Sequence, residues 1–235
     1  MHLEHKKLVL EIRANVGKGT QHSWSGSYLG NGDRLKYNVS NPIRRTIAKS
    51  WISKNKNISN TDFISIIDSL YHGESGEEIG LAGMLLGYHP VGRAAVSLKD
   101  LDDWLGKLQG WSEVDSVCQN VFKYDELLSS WSRWKSFIRK LSKDKNINKR
   151  RAALVLLTGP VNYSDDPQLR DLAFELIMKL KNEKPILITK AISWLLRSMV
   201  EHHKNLVSKY INEHRATLPK IAIRETERKI KTGRK

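Results

Sequence analysis

Trp111 and Asp115 lie four residues apart in the segment Gly-Trp-Ser-Glu-Val-Asp-Ser, within a chain whose formal net charge is +15. On a helix, side chains four residues apart share a face, so this spacing places a carboxylate beside an indole. Such a pair suits a cation, because the carboxylate attracts positive charge and the ring face adds a cation–π contact. A purely anionic ligand would gain nothing from the carboxylate. The pair therefore indicates a ligand that carries a positive charge on a negatively charged molecule.

The excess of basic residues makes a polyanion the first class of partner to consider. Forty Lys and Arg stand against 25 Asp and Glu, and the sequence pI is near 9.8. Nucleic acid fits this balance first and an acidic membrane surface second. No stretch approaches the roughly 20 apolar residues of a membrane span, and the first residues lack the apolar run of a signal peptide. We therefore expect a cytoplasmic protein with no membrane partner.

Cysteine and histidine usage argues against a metal or disulfide framework. Cys118 is the only cysteine, so neither an intramolecular disulfide nor a Cys-based zinc site can form. The eight histidines show no ligand spacing such as His-Glu-x-x-His. The sequence therefore predicts a protein without a metal or other cofactor.

The spacing of the predicted helices indicates a repeat. Apolar residues recur at helical spacing almost everywhere after residue 41 and no sustained period-two run appears, so we predict an all-α chain. Positions near the start of every second helix recur at steps of 35, 35, 36 and 39 residues. These positions are Arg45, Gly80, Asp115, Arg151 and Lys190. The steps predict an α-solenoid of HEAT-like antiparallel helix pairs, with an ordinary helical bundle as the alternative.

In an α-solenoid the aligned helices line the concave side, so these positions would face one groove. The groove would be basic with Asp115 as the acidic exception, and cations along it would follow a phosphate backbone. Its predicted DNA-binding cations are Arg44, Arg45, Arg150, Lys190 and Arg197. Arg151 lies one repeat beyond Asp115, and a structural salt bridge between these two is the alternative use of the carboxylate.

Two segments are predicted to lie outside the regular helices of a single domain that spans residues 1–235. Residues 15–36 interleave five glycines with Ser and Thr, which is typical of a loop. Residues 226–235 belong to a basic segment after Pro219, with seven Lys or Arg against Glu225 and Glu227, and we expect them to form a flexible tail. Small residues at 80–83 and 151–153 are expected where neighbouring helices approach closely.

Three motifs together resemble the AlkD-type DNA alkylation repair family, in both order and spacing. They are Gly110-Trp-Ser-Glu-Val-Asp-Ser116, Arg150-Arg-Ala-Ala153, and Ile188-Thr-Lys-Ala-Ile-Ser-Trp-Leu-Leu-Arg197. The segment Val39-Ser-Asn-Pro-Ile-Arg-Arg45 is similar to the first helix of that family's repeat region, so the resemblance covers roughly residues 37 to 225.

The resemblance implies a monofunctional DNA glycosylase that removes cationic N3- and N7-alkylated purines from double-stranded DNA and leaves an abasic site. It assigns the catalytic site to Trp111, Asp115 and Arg151, and makes Trp194 a second aromatic wall beside the sugar of the lesion. In this family the damaged base need not be swung into a pocket, unlike in the base-flipping enzymes. A single solenoid of this kind is expected to act as a monomer.

Two departures from the family pattern bear on DNA contact and lesion range. Asn148 replaces an aromatic residue commonly found before the family's arginine, and Ser193 stands where glycine often precedes the tryptophan. The same basic surface also suits a catalytically silent HEAT-repeat protein that binds distorted or branched DNA. A protein-interaction scaffold is the third possibility, although a scaffold does not require a basic groove.

Overall fold

The computed structural model describes residues 1–18 and 34–234, and most of these residues are helical. Within them no strand occurs, and an isolated bridge joins Leu35 to Ser75. None of the described helices is long and apolar enough to cross a membrane. Because these residues form helices and no strand, the prediction of an all-α chain is confirmed. The helices are α1 (Leu3–Arg13), α2 (Asn41–Lys54), α3 (Asn60–Tyr71), α4 (Gly76–Tyr88), α5 (Pro90–Ala94), α6 (Leu98–Lys107), α7 (Gly110–Cys118), α8 (Tyr124–Ser129), α9 (Trp131–Leu141), α10 (Ile147–Tyr163), α11 (Pro167–Leu180), α12 (Ile186–His214) and α13 (Lys220–Thr232).

The predicted repeat has a direct counterpart in the helix order. The aligned helices α2, α4, α7, α10 and α12 begin at Asn41, Gly76, Gly110, Ile147 and Ile186. Each aligned position from the sequence lies four or five residues after one of these starts. Between aligned helices the chain returns through one helix or two shorter ones, as HEAT-like pairs do. The helical repeat is therefore confirmed as the organising unit of the fold.

The chain divides into two compact units, Met1–Phe122 and Lys123–Lys235. The first unit holds α1 to α7 and the second holds α8 to α13. The expectation of one domain over residues 1–235 stays a prediction. Of the predicted loop at 15–36, residues 19–33 lie outside the described residues, and residues 34–40 form no helix before the start of α2.

In the first unit, α4 packs against α2, α7 and α3. The core holds fully buried large side chains, among them Phe63, Leu85 and Trp104. Helices α4 and α7 meet at Gly83, where an added Cβ would lie 2.2 Å from Ser116 Oγ and 3.0 Å from the Ser116 carbonyl oxygen. The small residue predicted from the sequence is therefore what allows this close approach.

We predict that Gly83→Ala lowers the free energy of unfolding by about 1–3 kcal/mol, because a backbone atom of α7 would have to move. The control is Gly76→Ala on the same helix, where an added Cβ meets nothing within 4 Å. Urea denaturation of both variants and the parent measures the difference. Equal stability of the two variants would contradict the close approach.

The first unit also anchors α1 through a buried hydrogen-bond network. His5 Nε2 lies 2.7 Å from Glu78 Oε1, and His5 Nδ1 lies 2.8 Å from Ser69 Oγ. The other carboxylate oxygen of Glu78 accepts hydrogen bonds from the backbone N–H and hydroxyl of Ser75 at 2.8 and 2.5 Å. Burial would raise the pKa of Glu78, but the hydrogen bonds from His5 and Ser75 together lower it below its ordinary value.

This lowered pKa predicts acid-sensitive anchoring of α1. The contribution of the Glu78 carboxylate is complete above its unfolded pKa of 4.5 and is lost as pH falls through the lower folded value. We expect Glu78→Gln to lower the free energy of unfolding by about 1–3 kcal/mol at neutral pH, with a gap that shrinks below pH 4.5. Chemical denaturation from pH 7 to 3 measures the gap. The exposed Glu74→Gln serves as control, and a gap independent of pH would contradict the assignment.

In the second unit, α10 and α12 pack along each other and α13 packs on α12. Residues Ala152 to Leu157 of α10 are all fully buried, so this helix is the centre of the unit. Helix α12 is kinked at His203, whose backbone is not helical. Helix α13 buries Ala222, Ile223 and Thr226. The segment expected to be a flexible tail from residue 226 is thus helical as far as Thr232, because its apolar residues recur at helical spacing and pack inward.

Candidate nucleic-acid interface

The position of Trp111 is set by the first turn of α7. Gly110 has a φ of +69°, a conformation that favours glycine, and Trp111 follows it directly. The carboxylate of buried Glu113 accepts from the backbone N–H of Gln109 at 2.7 Å and lies 2.7 Å from Arg34 Nε. Burial raises the pKa of Glu113 despite these two partners. Glu113 therefore fixes the start of α7 and also the position of Arg34, in the segment before α2.

Trp111 lines a cavity of about 630 Å³ that lies entirely in the first unit. Residues from the first turns of α2, α4 and α7 face this cavity, and the N-termini of helices favour anions. Among the described residues, four cationic side chains and two carboxylates line it: Arg34, Lys36, Arg44, Arg45, Glu77 and Glu113. The balance of charge and helix dipoles makes the cavity attractive to an anion.

At this cavity, the Arg44 side chain packs closely against Gly80 of α4. Its Nη1 lies where an added Cβ on Gly80 would be only 2.3 Å away, and its Nη2 donates to Asn41 Oδ1 at 2.6 Å. Its Nε is buried without a hydrogen-bond partner among the described residues. Burial lowers the pKa of Arg44, partly offset by the carboxylate of Glu77. Glycine at position 80, one of the five aligned positions, therefore makes room for a guanidinium.

Two other cations at this cavity, Lys36 and Arg45, differ from Arg34 in having no carboxylate partner among the described residues. Lys36 and Arg45 are exposed and form no ion pair with any described residue. The Glu77 carboxylate instead accepts hydrogen bonds from the backbone N–H groups of Tyr37 and Val39, at 3.2 and 3.3 Å. The indole N–H of Trp111 is buried and has no acceptor among the described residues. The side chains of Lys36 and Arg45 and the indole N–H of Trp111 are therefore suited to donate to the oxygen atoms of a phosphate or sugar.

Asp115 follows Trp111 by one helical turn and is partly exposed. Its neighbour Ser116 lines the same cavity. The structure thus brings Trp111, Arg44 and Arg45 together around one cavity, and Asp115 lies on α7, one of the three helices that contribute residues to it. Because α7 is helical from Gly110 to Cys118, Trp111 and Asp115 lie on the same face of it. A role for this pair stays a prediction.

The predicted arginines of the second unit are largely engaged within that unit. Arg150 donates to both carboxylate oxygens of Glu183 at 2.8 and 3.0 Å and to the carbonyls of Asp144 and Lys145 at 2.9 Å. Arg151 is 3% exposed and donates from Nη1 to the Leu187 carbonyl at 2.6 Å, which ties α10 to α12. A DNA contact by Arg150 and a catalytic role for Arg151 stay predictions.

A second cationic cluster lies on α12 and includes residues from the third sequence motif. Lys190 Nζ and Arg197 Nη2 lie 3.6 and 3.5 Å from the carboxylate of Glu225, and the Ser193 hydroxyl donates to that carboxylate at 2.6 Å. Burial lowers the pKa of Arg197, although Glu225 opposes this. Trp194 is partly exposed on the same helix. We call Lys190, Ser193, Arg197 and Glu225 the α12 cluster.

Sequence reasoning missed several residues of these two sites. The predicted loop includes Arg34 and Lys36, yet both residues line the cavity. Glu225 was assigned to the basic C-terminal segment, yet it reaches α12. The signal that could have found Glu225 is the one that singled out Asp115, an acidic residue in a basic stretch.

Comparison with known proteins confirms the fold and the family. A predicted DNA alkylation repair enzyme from Enterococcus faecalis has a similar solved structure, with a TM-score of 0.69 and 18% sequence identity, covering 86% of this chain and 91% of that one. At this identity the likeness establishes the fold. Residues 11–230 match the family model of the DNA alkylation repair enzymes. The chain belongs to this family. Among curated proteins there is no significant match.

The cavity generates a prediction for DNA binding. Arg45→Gln should weaken binding to undamaged duplex and make the slope of log K against log salt shallower by about 0.9, the value of one phosphate contact. Fluorescence anisotropy at 50–300 mM salt measures the slope. The control is Lys54→Gln, an exposed cation in the last turn of the same helix that does not line the cavity. Equal slopes for both variants would remove Arg45 from the interface.

Proposed function

We propose that this protein is a monofunctional DNA glycosylase that hydrolyses the N-glycosidic bond of cationic N3- and N7-alkylated purines in double-stranded DNA. It acts in the cytoplasm, as a monomer and without a cofactor, and leaves an abasic site. The observation that carries the proposal lies in α7. A partly exposed carboxylate follows, by one turn, an indole that lines a cavity rich in Arg and Lys.

The charge pattern fits a substrate of mixed sign. The cations at the cavity attract the phosphates of a DNA strand, whereas a carboxylate beside those phosphates costs on the order of 1 kcal/mol or more in Coulomb energy. A positive charge on the substrate compensates for that cost. An alkylated purine supplies it as a formal charge on the base, and the reaction then moves that charge onto the sugar.

In the proposed reaction the C1′–N bond breaks and its electron pair leaves with the base. The base departs neutral, and the deoxyribose acquires oxocarbenium character. Asp115 stabilises this developing cation and orients the attacking water, while the Trp111 ring contacts the sugar face. Water adds to C1′ and releases a proton to solvent, which completes the abasic product. Since alkylation has already activated the leaving group, no strong general acid is required.

The second unit supplies contacts to the DNA strand in this proposal. Trp194 contacts the sugar as a second aromatic wall, and Arg151 binds the neighbouring phosphate through a guanidinium that the Leu187 carbonyl already orients. Lys190 and Arg197 bind further phosphates. These roles follow from the family resemblance of the motifs that contain them.

The test is release of 7-methylguanine and 3-methyladenine from methylated duplex DNA, followed by chromatography and corrected for spontaneous depurination. We expect Asp115→Asn to lower the rate of release by about 100-fold or more, because stabilisation of the developing charge is lost. Binding to undamaged duplex should stay equal or become tighter, since a carboxylate is removed from the neighbourhood of phosphates. The control is Asp103→Asn, an acidic residue of α6 in an i,i+4 pair with Lys99.

Each outcome of this test has a separate meaning. Equal release by the parent and Asp115→Asn would contradict the role of Asp115. No release by either protein, with salt-dependent binding of distorted DNA intact, would favour the catalytically silent binding protein. Absence of salt-dependent DNA binding would favour a protein-interaction scaffold. Trp111→Phe keeps an aromatic face of smaller area and removes the N–H, so a fall in its rate measures the loss of the indole.

A further inference from the structure

In the α12 cluster, three donor side chains of α12 surround the carboxylate of Glu225. The Glu225 carboxylate from α13 receives a hydrogen bond from Ser193 and lies within ion-pair distance of both Lys190 and Arg197. Burial alone would raise the pKa of Glu225, but Ser193, Lys190 and Arg197 together lower it below its ordinary value. The carboxylate is therefore held in its charged form by the groups that surround it.

These groups are also those that would bind a phosphate. A hydroxyl, an ammonium and a guanidinium converge on two carboxylate oxygens, and phosphate oxygens accept from the same donors. The Ser193 side chain is fully buried, so its hydroxyl cannot turn to solvent. Arg197 is fixed by its own helix, since its Nε donates to the Ser193 carbonyl at 3.1 Å and to the Ser193 hydroxyl at 3.3 Å. The cluster is thus rigid on α12, and its anion comes from another helix.

We propose that Glu225 is an internal substitute for a DNA phosphate, and that duplex binding at the α12 cluster proceeds by exchange of this carboxylate for a phosphate of the strand. The proposal rests on the proposed function only in taking DNA as the ligand of the cluster. It assigns to α13 the regulation of DNA affinity, and it makes Ser193 the residue that retains the carboxylate.

The contacts of Glu225 are of two kinds, which makes the exchange possible. The ion pairs to Lys190 and Arg197 span 3.6 and 3.5 Å, beyond the length of a short charge-assisted hydrogen bond. The side chains of Lys190 and Glu225 are 40% and 26% exposed, so an incoming phosphate can reach the ammonium group while the carboxylate turns to solvent. The short bond to Ser193 is the contact that must break.

The exchange has a measurable thermodynamic consequence. While Glu225 neutralises the cluster, a phosphate gains less from Lys190 and Arg197, because it must first displace an anion. Glu225→Gln removes the charge but keeps an oxygen that accepts from Ser193, so the shape of the site is retained. We expect this variant to bind undamaged duplex more tightly. Its slope of log K against log salt should be steeper by about 0.9 to 1.8, the value of one or two added phosphate contacts.

The matched control is Glu227→Gln, which removes the same charge two residues further along α13. Glu227 is exposed and pairs with Arg215, so it does not touch the cluster. Ser193→Ala is the second variant, which keeps the Glu225 charge and removes the hydroxyl that retains it. It should shift affinity in the same direction as Glu225→Gln and by less. Melting temperatures of all variants check that α13 remains packed.

Fluorescence anisotropy with an undamaged duplex at 50–300 mM salt decides the outcome. A steeper slope for Glu225→Gln, with Glu227→Gln equal to the parent, supports the exchange. An unchanged slope or weaker binding for Glu225→Gln would show that the carboxylate only positions Arg197 and would overturn the proposal. Equal changes in both variants would reveal a general charge effect and would overturn it as well. This assay does not measure base release. If the glycosylase proposal alone proved wrong, the outcomes of this assay would keep the same interpretation.

Discussion

The organisation of this strongly basic chain depends on a few carboxylates placed between its cations. Like charges repel in the low-dielectric environment near a protein surface, so cations that converge on one site need counter-ions to hold them there. In the first unit Glu113 pairs with Arg34, and in the second Glu183 pairs with Arg150. These internal anions absorb part of the positive charge in fixed geometry. The cations that remain without such partners, such as Arg45, define where an external anion is attracted.

Helix packing decides where those charges are presented. Within the first unit, α4 and α7 can lie side by side because a small residue occurs where they meet, Gly83 against Ser116. The same need for space explains Gly80, over which the guanidinium of Arg44 lies. Gly80 and Gly83 both lie on α4, three residues apart. On this helix, close packing and the placement of a cation therefore both depend on small residues.

In α7 the motif that resembles the family also has the residue types that suit a cationic ligand. Residue types alone indicated a carboxylate beside an indole, and the structure places that indole in the wall of a cationic cavity. Gly110 permits the positive φ from which the helix begins, and Glu113 secures its first turn. The site proposed for chemistry thus stands on a short helix fixed at its start. This fixation matters for the proposed reaction, because a stabilising charge must already be in position when the sugar becomes cationic.

The sequence by itself determined the helical class, the repeat, the family and the residues of α7, because these depend on local periodicity and on spacing along one chain. It did not determine the partners of side chains distant in sequence. Arg34 and Glu113, or Ser193 and Glu225, are joined only by the packing of helices that no local pattern relates. The basic composition of the C-terminal segment favoured a flexible tail, although its apolar residues recur at helical spacing. Only the tertiary structure decided which cations are neutralised internally, since a counter-ion is set by distance in space and not by distance in sequence.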